Sequence, residues 1–114
     1  MAVKKNVLIT FDCELFQGVR SGTVENCMLI PTEKILKILS RHKTNAVFFI
    51  DMLYLCRLKE ISATYPKAKS DFEKIEQQLV EIAEQGHYIF NHLHPHWIDA
   101  VYDAEINQWH LNDT

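Results

Sequence analysis

The chain has 114 residues, of which 47% are hydrophobic and 24% are charged, and its formal net charge is −3. This size and balance predict one globular domain over residues 1–114, and the slightly acidic charge gives no reason to expect nucleic acid as a partner. No apolar run approaches the roughly 18 residues of a membrane span, and no secretory signal is visible, so we expect a cytoplasmic protein without a membrane partner.

The three cysteines are Cys13, Cys27 and Cys56, which are widely spaced and form no CxxC pair. An odd number at such spacing argues against a disulfide framework and predicts reduced thiols. Cys13 stands between Asp12 and Glu14. On a strand its side chain would point away from both carboxylates, so we expect a buried, unreactive thiol.

The first predicted element is a strand over residues 4–11, because an uncharged, β-branched run leads up to Phe11. Asp12 and Glu14 follow directly. Residues two apart on a strand point to the same face about 6.6 Å apart, and ligands of parallel α/β folds bind at the carboxyl ends of strands. The two carboxylates are therefore candidate catalytic or metal-binding groups. The alternative is that Asp12 merely caps the next turn.

A helix is predicted next, with Pro31 at its first position, Glu33 in its first turn and its end near Arg41. The apolar run at residues 45–50 predicts a second strand, and Asp51 follows it as a candidate substrate-binding residue. Each of the first two strands thus ends in an acidic side chain.

Two further helices are predicted between the second strand and the third. One covers residues 52–65 and is ended by Pro66. The other covers residues 70–85, where Ser70 and Glu73 have the spacing of a capping box and apolar residues recur with helical period.

The most informative segment follows Gly86, the residue type expected just after a helix end. Residues 87–91 predict a third strand that leads into His92, His94 and His96. His92 and His96 lie four residues apart, and neutral imidazole is the commonest protein ligand for transition metals. A solvated histidine-rich loop is the alternative, but apolar and aromatic neighbours favour a metal or active-site role.

The remaining residues give weaker patterns. Trp97 could be a binding-site aromatic residue or belong to the core, and His94 could orient a metal ligand, bind substrate or be solvated. Ala100, Val101 and Ile106 predict a short helix. The order β-α-β-α-α-β, with right-handed crossovers, predicts part of a (β/α) barrel or of an open α/β sheet. Three strands cannot close a barrel.

Three segments resemble the motifs of the polysaccharide deacetylases, the NodB-homology or carbohydrate esterase family 4 domain. The run TFDCE at residues 10–14 is similar to the family's TFDD motif, and AVFFI at residues 46–50 is similar to its ATFF strand. GHYIFNH at residues 86–92, continuing to His96, resembles the GHEIxNH(S/T)xxH motif. The three matches fall in the family's order, and the likeness as a whole spans nearly all of residues 5–97.

The resemblance implies a partial (β/α) barrel of the deacetylase type and a hydrolase that removes acetyl groups from N-acetylated sugars of a polysaccharide. It implies a divalent metal, zinc with cobalt or nickel as alternatives, bound by His92, His96 and one carboxylate. Asp12 matches the family's general base. The family's second Asp falls on Cys13 here, so Glu14 is the expected metal ligand, with Asp12 as the alternative; Asp51, His94 and Trp97 are the expected carbohydrate contacts.

The family's later motifs, including that of its general acid, have no match in this sequence, and His110 is too near the second motif to serve. We therefore expect the N-terminal part of a catalytic domain with little activity alone, which self-associates or pairs with a missing C-terminal half. Two alternatives stay open. One is a non-catalytic metal- or carbohydrate-binding α/β module, and the other is a small flavodoxin-like domain with incidental histidines.

Overall fold

A computed structural model of the chain describes residues 4–17 and 20–111. The described elements are three parallel strands, three α-helices, a short π-helical segment before the first of them, a 3₁₀ turn and a two-stranded hairpin. In chain order they are β1 (Thr10–Cys13), the π-helical segment (Glu25–Leu29), α1 (Ile30–Arg41), β2 (Val47–Asp51), α2 (Met52–Ser62), α3 (Pro66–Glu84), β3 (Tyr88–His92), the 3₁₀ turn (Pro95–Asp99), β4 (Val101–Asp103) and β5 (Gln108–His110).

The main sheet has the strand order β1-β2-β3, and both neighbouring pairs are parallel. Because the order never reverses, right-handed crossovers place all three helices on one face. Phe48 and Ile50 of β2 point to that face and share a single core with buried residues of α1, α2 and α3. The prediction of a mixed α/β fold with three parallel strands and flanking helices is confirmed. The described residues form no closed barrel.

The first strand is shorter than predicted, since the ladder includes only Thr10–Cys13 instead of residues 4–11. Its neighbour explains the difference. β2 begins at Val47, whose N–H donates to the carbonyl of Ile9 at 2.9 Å. No described strand lies beside the residues before Ile9, and Val7 and Leu8 are 85% and 75% exposed.

The first helix agrees with its prediction, with Pro31 in its first turn and Arg41 as its last residue. The predicted end of the second helix was wrong, because α2 ends at Ser62 and Pro66 begins α3. Proline fixes φ near the helical value and lacks an N–H that the first turn would leave unpaired. Ser70 therefore lies inside α3, and the predicted capping box does not start that helix. No helix within the described part of the chain combines the length and apolar character needed to cross a membrane.

The helix predicted around residues 100–106 was also wrong. A 3₁₀ turn and the antiparallel hairpin β4–β5 occupy this region, and Asn107 takes a left-handed φ of 50° beside β5. Asparagine tolerates that conformation better than most residues. Ser21 ties the hairpin to the segment after β1, since its N–H donates to the Trp109 carbonyl at 3.0 Å and its Oγ accepts from the Trp109 N–H at 2.8 Å.

A fully buried aromatic cluster lies between α2 and the C-terminal segment. It is formed by Tyr54, Trp97 and Trp109. The Tyr54 and Trp97 ring centroids are 4.7 Å apart, and those of Trp97 and Trp109 are 5.7 Å apart. Arg57 lies over the Trp109 ring at 5.4 Å and donates to the Ala100 carbonyl at 2.7 Å. These contacts fix the segment that follows the histidines.

We expect stability to fall on acidification because of His87. This side chain is buried, its Nδ1 accepts a hydrogen bond from the Ala46 N–H at 3.1 Å, and burial lowers its pKa from the ordinary 6.5. Below pH 6.5 the unfolded chain therefore binds a proton that the folded protein resists. The free energy of unfolding should decrease by at most about 1.4 kcal/mol per pH unit in that window.

Urea unfolding between about pH 7 and pH 5 measures this dependence. His87→Gln keeps an acceptor atom but cannot titrate, so its slope with pH should be shallower than that of the wild type. His42→Gln, at an exposed position beyond α1, is the matched control and should keep the wild-type slope. Equal slopes in wild type and His87→Gln would contradict the assignment.

Candidate metal centre

The ends of β1 and β3 bring four polar side chains to one edge of the sheet. Asp12 belongs to β1 and Glu14 follows that strand, whereas His92 ends β3 and His94 follows it. β1 and β3 both run parallel to β2, so their carboxyl ends lie on the same side of the sheet. This is the edge where parallel α/β folds bind ligands.

Glu14, His92 and His94 form a group whose potential ligand atoms all lie within 4.8 Å of one another. The Glu14 Oε2 is 2.5 Å from the His94 Nε2 and 3.3 Å from the His92 Nε2. The centroids of the two imidazole rings are 4.4 Å apart. All three side chains are partly buried, so they are shielded from bulk water and still accessible to a small cation.

Asp12 lies at the margin of this group. Its Oδ2 is 3.7 Å from the His92 Nε2, and its side chain is largely exposed. The Asp12 carboxylate is therefore beside the group, with an oxygen directed at one of its imidazoles. This position suits a base that works next to a metal better than it suits a buried ligand.

The three side chains could hold a metal ion. Two imidazoles and one carboxylate are the protein ligands of several catalytic zinc sites, which keep a further position for water or substrate. The ring nitrogens that would bind the ion already converge on the Glu14 carboxylate. A cation between them would be held by both strand ends.

Gln17 is a polar neighbour that the sequence did not suggest. Its side-chain amide donates to the Glu14 Oε2 at 3.3 Å, and its Nε2 is 2.9 Å from the His94 Nε2. Nothing in the spacing of Gln17 marks it as part of a site. Its position depends on the course of the chain after β1, which sequence patterns do not specify.

The observed group differs from the predicted ligand set in one member, since His94 takes the place expected for His96. His94 has extended backbone angles, φ −118° and ψ 100°, and the 3₁₀ turn starts after it, at Pro95. His92 and His94 therefore keep the two-residue period of a strand and point to the same side. His96 lies inside the turn with its ring centroid 5.2 Å from that of His94, and its buried Nε2 has no hydrogen-bond partner among the described residues.

Asp51 and Trp97 do not fit the predicted role in substrate binding. Both side chains are fully buried, and the Trp97 indole N–H donates to the Asp51 Oδ2 at 2.5 Å. The other carboxylate oxygen accepts the Tyr54 N–H at 3.5 Å and caps α2. Burial raises the pKa of Asp51. The pair is a structural link between α2 and the 3₁₀ turn.

Cys13 lies on the opposite side of β1 from Asp12, as predicted. Its thiol is buried, its Sγ is 3.8 Å from the Thr32 Oγ1, and burial raises its pKa to about 11. Such a thiol stays protonated at neutral pH and offers the centre no thiolate ligand. All three cysteines are free.

Comparisons of this chain with family models, with curated proteins and with solved structures found no match. The similarity to polysaccharide deacetylases therefore depends on the motif residues themselves.

Proposed function

We propose that this chain carries the metal-binding part of a metal-dependent hydrolase that removes acetyl groups from the N-acetylated sugars of a polysaccharide. The observation that carries the proposal is the convergence of Glu14, His92 and His94 within 4.8 Å at the carboxyl edge of a parallel sheet, with Asp12 beside them. The residues involved come from the two segments that resemble the deacetylase motifs. The catalytic groups without a match here would come from a further part of the domain.

The position of each side chain determines its proposed role in the reaction. A zinc ion held by Glu14, His92 and His94 would lower the pKa of a bound water and polarise the acetyl carbonyl. Asp12 is the base, because its exposed carboxylate lies next to the ligands and can take the proton of the attacking water. Gln17 donates to Glu14 and so helps to orient that carboxylate.

A non-catalytic metal-binding module is the second candidate. One observation favours it: Asp51 and Trp97, two of the three expected sugar contacts, are fully buried. The third, His94, contacts Glu14 instead. A protein with this arrangement would hold a cation without placing a sugar beside it.

Acetate release from N-acetylglucosamine oligomers by the zinc-loaded protein separates the two candidates. The rate should be low, because the leaving amine lacks a matched general acid, but it should depend on Asp12. In Asp12→Asn the rate should fall by about 10²–10⁴-fold, whereas zinc affinity should stay near that of the wild type. Zinc binding with no Asp12-dependent acetate release, even after a part that carries the unmatched catalytic groups is supplied, would contradict catalysis and favour the non-catalytic metal-binding module.

A further inference from the structure

The side-chain amide of Gln17 lies at the margin of the Glu14–His92–His94 group. Gln17 follows β1 in the chain, and its side chain is exposed. Its Nε2 is 3.3 Å from the Glu14 Oε2 and 2.9 Å from the His94 Nε2. The amide is therefore within hydrogen-bond distance of two of the three residues that could hold a metal ion.

The amide nitrogen of Gln17 carries two hydrogens, and one of them is donated to the Glu14 carboxylate. The same nitrogen is 3.2 Å from the His94 Nδ1 and 2.9 Å from the His94 Nε2. The two ring nitrogens point in different directions, and a strong hydrogen bond needs a nearly linear approach. Gln17 therefore lies across the imidazole, and its second hydrogen has no aligned acceptor among the described residues.

Metal binding would leave His94 without an acceptor for Gln17. A neutral imidazole has one nitrogen with a free lone pair and one nitrogen that carries a hydrogen. A ligand histidine gives that lone pair to the ion, so neither ring nitrogen can then accept a hydrogen bond. Glu14 keeps its contact with Gln17, because a carboxylate has several acceptor sites. The second Gln17 hydrogen is then left for an oxygen that enters the centre beside these two residues.

We propose that Gln17 donates this hydrogen to the acyl oxygen of the acetyl group, an inference that rests on the proposed deacetylation. Water attack forms a C–O bond and moves the carbonyl π electrons onto the acyl oxygen, while Asp12 takes the proton of the water. The C–N bond breaks as the carbonyl re-forms, and the amine leaves with a proton from the general acid of the further part of the domain. Negative charge thus develops on the acyl oxygen, and a donor aimed at that oxygen stabilises the transition state.

The chemistry of glutamine suits this role. The amide is neutral and does not titrate, so it donates at every pH and does not repel the ion. Glu14 holds the amide in place, so little reorganisation is needed when the negative charge develops. The alternative role is that of a fourth metal ligand through Oε1, which would fill a position that a catalytic zinc site keeps for water or substrate. The two roles predict different effects of the same variants.

Titration of the cobalt-loaded full chain with acetate, followed in the visible spectrum of cobalt, tests the proposal. A carboxylate oxygen of acetate stands in for the charged acyl oxygen. Gln17→Met has a side chain of similar length without an N–H, and it should raise the acetate dissociation constant about tenfold or more, as expected for loss of a hydrogen bond to a charged group. Gln17→Asn keeps the amide but is one methylene shorter, and it should weaken acetate binding similarly. Both variants should lose less than about 100-fold in zinc affinity, as on loss of an orienting partner.

Gln77→Met is the matched control, because Gln77 is exposed on α3 and lies outside the group, so its acetate and zinc affinities should equal those of the wild type. Equal acetate affinity in the wild type and both Gln17 variants, or no acetate binding at all, would overturn the role of Gln17 without touching the hydrolase. A loss of zinc affinity in Gln17→Met as large as in His94→Ala would also overturn it, because Gln17 would then be a ligand. Weaker acetate binding in the Gln17 variants would support the contact even if the wild type, supplied with the unmatched catalytic groups, releases no acetate from N-acetylglucosamine oligomers. That last result would contradict the hydrolase alone.

Discussion

Replacing His94 with alanine should weaken zinc binding by more than about 100-fold, and His92→Ala should have an effect of the same size. Each imidazole supplies one of the three ligand atoms that lie within 4.8 Å of one another. Loss of a partner that only orients a ligand already costs about 10–100-fold in metal affinity, so loss of a direct ligand should cost more. Isothermal titration of the folded protein with zinc at neutral pH measures the change.

Two matched histidine variants make this experiment decisive. His96→Ala removes the imidazole that the motif spacing predicts as a ligand, yet His96 lies outside the observed group and should change zinc affinity less than about tenfold. His42→Ala removes an exposed histidine near the opposite end of the sheet and should have no effect. If His96→Ala abolishes binding while His94→Ala is silent, the motif spacing is right and the observed ligand set is wrong.

Trp97→Ala should lower the free energy of unfolding by about 3–5 kcal/mol, because it empties the centre of the buried aromatic cluster. Whole-domain stabilities are about 5–15 kcal/mol, so this single change should shift the urea midpoint strongly. Trp97→Phe keeps most of the ring volume but removes the indole N–H that Asp51 accepts. A buried acceptor left unpaired costs about 1–3 kcal/mol.

Ile98→Ala is the control for the tryptophan series, because Ile98 is the next residue in the same turn and is exposed. Its free energy of unfolding should stay within about 0.5 kcal/mol of the wild type. A Trp97→Ala protein as stable as Ile98→Ala would show that the indole is not a core residue. In that case the role in sugar binding expected from the sequence would regain support.

The pattern of apolar residues was sufficient to predict α1 and the second strand. Each of these elements coincides with a clear apolar pattern, and both were predicted within a few residues of their observed limits. Pro66 was predicted to end the second helix, but it is the first residue of α3. Proline is compatible with both positions, and only the packing of α3 distinguishes a helix end from a helix start. The hairpin at the C-terminal end depends on tertiary contacts of Trp109 with Ser21, which no local pattern reveals.

The sequence predicted a group of carboxylates and imidazoles at the strand ends, but the observed group contains His94 where His96 was expected. Acidic and imidazole groups at strand ends follow from sequence alone, because parallel strands end at the same edge. The choice between His94 and His96 depends on where the strand gives way to the 3₁₀ turn at Pro95, a boundary of one or two residues. Asp51 and Trp97, which were predicted to bind substrate, are buried and hydrogen-bonded to each other, because a polar group at a strand end can equally cap the next helix from within the core.

The separation of the centre's members along the chain has a consequence for folding. Glu14 and His94 are 80 residues apart in sequence, so a coordinated ion would close a loop that contains all three helices. Folding brings the two ends of this loop together even without the ion, so the entropy of loop closure is already part of the free energy of folding. The ion would then add stability by binding to the folded state. By mass action, free zinc at 100 times its dissociation constant would add about 2.7 kcal/mol to the stability of the fold. The melting temperature of the protein would thus follow the zinc concentration around it.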